Sequence, residues 1–176
     1  MGLTYAELKN TPLGPISFIA GDRGLQRVAF SSLKTLKERS NENVSEPSLQ
    51  GLKTLADLIQ EINAYFFSLR KAFSVQVDWE VLTTFQARVL ARTSKIPFAE
   101  VMTYSQIARD LGQPGAARAV GRALGANPMP VVIPCHRVVG KSGHLKGYTG
   151  GEDKKAFLLA LEGHTIEIGR IMDRNV

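Results

Sequence analysis

Val131-Val132-Ile133-Pro134-Cys135-His136-Arg137-Val138 contains the only cysteine in the chain. Val131 to Ile133 are three β-branched apolar residues and predict a short buried strand. Pro134 has no N–H for a strand ladder, so pairing is expected to stop just before the sulfur. Cys135 is therefore expected at the end of a rigid apolar element, a good place to hold a reactive atom. A thiol attacks as thiolate and needs a base or a positive charge beside it; His136 and Arg137 are the candidates. The competing reading is a buried structural cysteine beside a surface histidine, because free cysteine is among the most buried residue types.

Upstream lies Thr103 to Asn127. The pattern predicts a short helix over Ser105–Leu111, with Ile107, Ala108 and Leu111 on one face. Gly112-Gln113-Pro114-Gly115 then breaks the chain, and a second helix is expected from Ala116 to Ala126. Two short helices with a Gly-containing turn read as a helix-turn-helix. Ala117, Val120, Gly121 and Leu124 would form the inward stripe, with Arg118 and Arg122 together on the opposite face. Ala116, Ala119 and Ala123 are small, so this helix could approach another surface closely. A bare helix with two arginines suits a nucleic-acid groove; a core helix with solvated arginines fits the same pattern.

The first 30 residues read as β-rich. Strands are expected over Tyr5–Leu8, Ile16–Ala20 and Leu25–Phe30, with Gly21-Asp22-Arg23-Gly24 as a hairpin signal. Ser31 to Pro47 is polar and expected to be a solvated loop with a short helix at most. From Ser48 to Phe67 a helix is predicted, with Leu52, Leu55, Ala56, Ile59 and Ile62 as its core stripe. Phe73–Val77 is a strand-like patch, and the domain boundary is placed near residue 80. Thr83 and Gln86 have capping-box spacing for a further helix. Phe85, Val89 and Ile96 would line its inner face, and Pro97 would stop it. A last helix is expected over Asp153–Glu162, before Gly163 as C-cap.

With 176 residues, 44% apolar and 22% charged, the composition is that of a globular protein. No apolar run reaches membrane-spanning length and no signal-peptide pattern opens the chain, so a cytoplasmic protein is expected. One cysteine fits a reducing compartment. Three histidines, all beyond residue 130, and that one cysteine make a structural zinc site unexpected. A formal charge of +6 favours a polyanionic partner.

Taken with Ala117-Arg118-Ala119-Val120-Gly121 and Asn127-Pro128, the run Ile133-Pro134-Cys135-His136-Arg137-Val138 closely resembles the O6-alkylguanine-DNA alkyltransferases. The likeness runs from about Thr84 to Gly163. It includes Phe85-Gln86, Ile96-Pro97, Thr103-Tyr104, Tyr148-Thr149-Gly150-Gly151 and Leu161-Glu162-Gly163. Residues 1–80 match only in character. The resemblance implies an α/β (α+β) fold with two domains: a small ribonuclease-H-like, β-rich domain over 1–80 with an architectural role, and a mostly helical domain over 81–176. The second would carry the helix-turn-helix and a short active-site strand.

The same resemblance implies a reaction and a set of roles. A damaged guanine is flipped out of double-stranded DNA through the minor groove, and Cys135 takes the alkyl group from its O6 irreversibly, one group per protein. His136 would act through a water as base and Glu162 would orient it. A carboxylate at a helix C-terminus is disfavoured by the dipole, so Glu162 is better explained by such a partner than by helix stability. Arg118 would fill the gap left by the flipped base, and Tyr104 would crowd the flanking phosphate. Asn127 would brace the turn between recognition helix and active-site strand. Main-chain groups of Cys135 and Val138 would read the guanine amino group, while Tyr148 and the N–H of Thr149 would line the pocket and meet O6. Ala116, Ala117, Ala119 and Gly121, beside Arg122, would be small to fit the shallow groove. No cofactor and no metal are implied; the partner is DNA containing O6-alkylguanine, and the protein is expected to act as a monomer away from membranes.

Departures from the family pattern are few. Thr149 stands where serine is common, and Lys146-Gly147 stands where members vary, at a place suited to limiting alkyl size. The charged tail after Gly163 has no assigned role. Two other classes remain: a lesion-binding relative, which would lack the cysteine, and a helix-turn-helix regulator, which would need neither Pro-Cys-His-Arg nor a pocket tyrosine. A cysteine hydrolase would need an oxyanion hole and repeated turnover.

Overall fold

Ile16–Gly21 is buried along its whole length, as a strand must be when it has a neighbour on each edge and cover over its faces. It is the middle strand, β2, of an antiparallel sheet in the order β1-β2-β3. Here β1 is Thr4–Leu8 and β3 is Gly24–Ala29. Thr4 pairs with Ala20 and Leu8 with Ile16; Ser17 pairs with Ala29 and Gly21 with Gly24, through a bulge at Ile19/Ala20. The expected hairpin is present, closed by Asp22-Arg23. The structure is a computed structural model that describes residues 2–40 and 46–172. Its two compact units are Met1–Val81 and Leu82–Val176.

In the first unit, α1 (Leu33–Ser40) is the short helix allowed for in the polar stretch from Ser31 to Pro47, of which residues 41–45 lie outside the described residues. Helix α2 (Leu49–Phe66) is capped by Ser48, whose hydroxyl accepts from the Gly51 N–H at 3.0 Å. Its buried face is Gly51, Thr54, Leu55, Leu58, Glu61, Ile62 and Tyr65. The expected stripe was therefore wrong in phase at Leu52 and Ala56, both exposed. Gly51 sets that phase. A Cβ there would lie 2.7 Å from Thr4 Oγ1 and 3.0 Å from the Ala20 carbonyl, so its missing side chain lets the helix lie close on the sheet. Glu61 is tolerated inside because Arg70 Nη2 donates to its Oε1 and Ser74 donates to it through both its N–H and its hydroxyl. Phe73–Val77 does not form a strand; it contributes one bridge, Leu25 to Val77.

In the second unit, α3 (Thr84–Thr93) opens with the expected capping box between Thr83 and Gln86. It ends at Thr93, short of Pro97, as the Ile96 N–H turns back to the Thr93 carbonyl at 3.0 Å. A second capping box, Thr103 with Gln106, opens α4 (Tyr104–Asp110) directly after β4 (Met102–Thr103). Helix α5 is Ala117–Gly125 and α6 is Glu152–Leu161, followed by Gly163 at φ +97° as its left-handed stop. Strand β5 (Val138–Val139) pairs in parallel with β4. The tail forms a hairpin of β6 (Ile166–Glu167) and β7 (Arg170–Ile171), and residues 173–176 lie outside the described residues. Ile171 packs with Val139, Leu145 and Leu159.

One expectation fails at the centre. Val131–Ile133 is not a strand: Val131 has φ +74°, and the Ile133 N–H closes a turn onto the Met129 carbonyl at 2.9 Å. Prolines at 128, 130 and 134 remove three donors from the stretch, so it cannot join a ladder. Apolar content was not enough. The strand begins only at Val138, past the cysteine.

Candidate active site

Cys135–Arg137 is a single 3-10 turn, closed by the Val138 N–H on the Cys135 carbonyl. It lies between the irregular Val131–Pro134 segment and β5. Cys135 is 4% exposed. Asn127, just past the end of α5, is also buried, and its side chain organises the turn. Nδ2 donates to the Ile133 carbonyl at 3.1 Å and to Cys135 Sγ at 3.1 Å, while Oδ1 accepts from the Met129 N–H at 3.0 Å. Burial pushes the Cys135 thiol up to about 11, against the opposing effects of Asn127 and Lys155. In the free protein it is a protonated thiol at neutral pH.

His136 and Glu162 are both buried, with Nε2 and Oε1 2.9 Å apart. Burial, partly opposed by the Glu162 carboxylate, lowers His136 below its ordinary value, so the imidazole is neutral. Its other ring nitrogen, Nδ1, is buried with no protein hydrogen bond. Glu162 caps the C-terminus of α6, where the dipole disfavours it. Burial would raise its carboxyl, but the hydrogen bonds and charges of His136 and Arg137 hold it at about 2. Arg137 bonds the carboxylate and not the sulfur. Its Nε and Nη2 grip Glu162, with Nε–Oε2 and Nη2–Oε1 both 2.9 Å, and its Nη1 donates to the Ile96 carbonyl at 2.7 Å.

The cation near the thiol is instead Lys155, a residue sequence reasoning missed. It is fully buried, and its Nζ donates to the Val138 carbonyl at 2.6 Å. Burial lowers it to about 8, against the pull of Cys135 and Glu152. The signal was present: Lys155 precedes Leu158 and Leu159 by three and four residues on the buried face of α6, where a cation is out of place unless it has a task. The Val138 carbonyl, expected to read guanine, already serves Lys155, and that of Cys135 serves Val138. A carbonyl oxygen keeps a second lone pair for another donor.

A cleft of about 640 Å³ is lined by Thr103, Tyr104, Ala117, Arg118, Gly121 and Arg122 on one side and by Lys141, Lys146 and Gly147 on the other. Ala117 and Gly121 belong to this cleft rather than to the core stripe expected of them, and Ala123 takes the buried place instead. A Cβ on Gly121 would sit 3.8 Å from the Tyr104 ring. Ala116 and Ala119 are half-buried. Tyr104 spans the cleft and donates from its hydroxyl to the Lys146 carbonyl at 2.8 Å; burial and the nearby Cys135 push that phenol up to about 12. Tyr148 sets its ring edge-on to His136, with centroids 6.4 Å apart. Thr149, expected to act through its main chain, also donates its hydroxyl to the Gly125 carbonyl at 2.8 Å, so it caps the C-terminus of α5. Among the described residues no three His, Cys, Asp or Glu side chains converge as metal ligands.

A buried thiol thus shares its turn with a neutral histidine, which is paired with a carboxylate from the end of α6. The family model for the 6-O-methylguanine DNA methyltransferase ribonuclease-like domain matches residues 4–79, and that for its DNA binding domain matches 84–164. The chain belongs to the 6-O-methylguanine DNA methyltransferase family. A relative from Methanosarcina acetivorans named methylated-DNA–protein-cysteine methyltransferase is 36% identical over 159 residues, which is 90% of this chain and 98% of its own. One of the same name from Mycobacterium tuberculosis is 47% identical over 157 residues, 87% and 88% of the two chains. The crystal structure of a Mycobacterium tuberculosis O6-methylguanine methyltransferase in complex with DNA superposes with a TM-score of 0.75 at 36% identity. It covers 90% of this chain and 92% of that one. As in that family, the fold joins a small β-sheet domain to a helical one. No described helix is long and apolar enough to cross a membrane.

Proposed function

We propose that the chain repairs double-stranded DNA by direct reversal, as a stoichiometric O6-alkylguanine alkyltransferase that consumes itself. The observation that carries this reading is the buried Cys135 in one turn with His136, whose ring is paired with Glu162 from the end of α6. Cys135 Sγ attacks the alkyl carbon; the new C–S bond forms as the C–O6 bond breaks, and guanine leaves with the electron pair. The thioether cannot be hydrolysed under mild conditions, so each chain acts once.

A thiol near 11 needs a base at the moment of attack. Neutral His136 takes its proton through a water held at Nδ1, and Glu162 orients the ring for that transfer. Asn127 positions the sulfur. Negative charge developing on guanine is met by the Tyr148 hydroxyl and the Thr149 N–H at O6, while main-chain groups of Cys135 and Val138 accept from the guanine amino group. The base reaches this site by flipping out through the minor groove. Arg118 then fills the vacated stack, Tyr104 crowds the flanking phosphate and hydrogen-bonds the extruded guanine, and the small residues Ala116, Ala117, Ala119 and Gly121 let α5 lie in the groove beside Arg122. Residues 1–80 serve as an architectural domain and 81–176 carry binding and chemistry. The protein works as a monomer in the cytoplasm.

Intact-protein mass spectrometry after mixing with a duplex holding one O6-methylguanine tests the reading. A gain of one methyl, mapped to Cys135 and absent in Cys135→Ala, is expected. Binding without mass change would make the protein a lesion sensor or regulator.

A further inference from the structure

Glu162 accepts from two neighbours at once. His136 is 2.9 Å from Oε1, and Arg137 reaches both oxygens, with Nε 2.9 Å from Oε2 and Nη2 2.9 Å from Oε1. The Ala99 N–H adds a contact to Oε2 at 3.2 Å. Arg137 is anchored as well by the Ile96 carbonyl at 2.7 Å and by the Phe98 ring, 5.9 Å below its guanidinium carbon. All three ionisable side chains are at most 6% exposed.

In so dry a place the balance of charge decides protonation. Glu162 and His136 alone would carry one negative charge, and a proton on His136 would cancel it. Such a pair favours imidazolium, which cannot accept a proton. Arg137 supplies the cancelling charge instead, and a proton on His136 would then leave the cluster one positive charge in excess. The other groups near His136 act the same way or are neutral: Lys155 opposes its protonation, Cys135 is a thiol, and Tyr148 presents its ring.

We propose that Arg137 is a positioning residue for the base: by gripping Glu162 it balances the carboxylate and holds His136 as the neutral tautomer with Nε2–H toward Glu162 and Nδ1 open to accept a proton. This rests on the reading of His136 as the base. It gives the arginine of Pro-Cys-His-Arg a task unrelated to DNA or to the sulfur. The cost of desolvating a third ionisable group is explained if the carboxylate must orient histidine without protonating it.

The decisive readout needs no DNA. Nitrogen-15 NMR of labelled histidine in the free protein at neutral pH, with His136 assigned through His136→Gln, should show a neutral Nε2–H tautomer in the wild type. Arg137→Gln, which keeps a donor and loses the charge, should bind the His136 proton at least tenfold more tightly; Arg137→Lys should stay near wild type. In the transfer assay the acid limb of the Arg137→Gln pH–rate profile should move to higher pH, with activity recovering above it. Imidazolium in the wild type at pH 7 would overturn the proposal whether or not the variants fold. So would an unmoved titration in folded Arg137→Gln, or an equal loss of rate at every pH. If the titrations move as expected but wild-type Cys135 gains no methyl, the charge-balancing proposal stands and the repair reading fails.

Discussion

Asn127 Nδ2 lies 3.1 Å from Cys135 Sγ, and the same amide spans the turn to the Ile133 carbonyl and the Met129 N–H. One side chain thus fixes the loop that replaces a strand and holds the nucleophile. Val131 can keep its left-handed backbone, which is rare for a β-branched residue, because the turn around it is pinned by this amide.

Asn127→Ala removes all three bonds inside a buried turn. Each orphaned group costs about 1–3 kcal/mol, so urea unfolding should show a loss of several kcal/mol. The thiol also loses the contact that lowers it. Its reaction with iodoacetamide at pH 8, in urea-free buffer, should therefore slow, provided circular dichroism shows a folded protein. Unchanged stability and unchanged thiol reactivity would contradict the account.

Acid should unfold the protein through the His136–Glu162 pair. Glu162 is held at about 2 in the fold against an ordinary value of 4.5. Its stabilisation is therefore present above pH 4.5 and is lost as pH falls toward 2, roughly 3 kcal/mol in all. His136, lowered in the fold from 6.5, adds a loss of the same sign as pH falls below that value. Glu162→Gln should be destabilised already at pH 7 and should show a flatter decline between pH 5 and 2. Parallel curves for the two proteins would refute the assignment.

Methylating Cys135 adds a carbon to a residue that is only 4% exposed. Overpacking of this kind costs about 1–3 kcal/mol. The alkylated protein should melt a few degrees below the free form, and an identical midpoint would show that the pocket has unused room.

Binding should weaken with salt in proportion to the cations lining the cleft. Each phosphate contact contributes about 0.9 to the slope of log K against log salt on duplex DNA. Arg122→Ala should lower that slope by about one and weaken intact and damaged duplexes alike. An unchanged slope would place the DNA elsewhere.

Sequence alone revealed what local chemistry dictates. The three strands, the Thr83–Gln86 box, both short helices and the Gly163 stop follow from turn residues and capping spacings within a few positions of one another. The second box, Thr103 with Gln106, had the same spacing and was overlooked. What escaped depends on partners far along the chain. Val131–Ile133 looks like a strand until flanking prolines and the Asn127 amide are counted together. Leu52 looks like core until Gly51 is seen to be the closest approach of helix to sheet. Arg137 looks like a cation for the thiol, yet it serves a carboxylate 25 residues away, and Lys155 takes its place from α6.

The most direct test of the central claim counts events. A limiting amount of protein is mixed with excess duplex carrying radiolabelled O6-methylguanine, and both repaired guanine and label on Cys135 are followed to completion. The account predicts a plateau at one repaired guanine per chain, with all of the lost label on that sulfur. Repair continuing past one per chain, or guanine restored without label on Cys135, would contradict it.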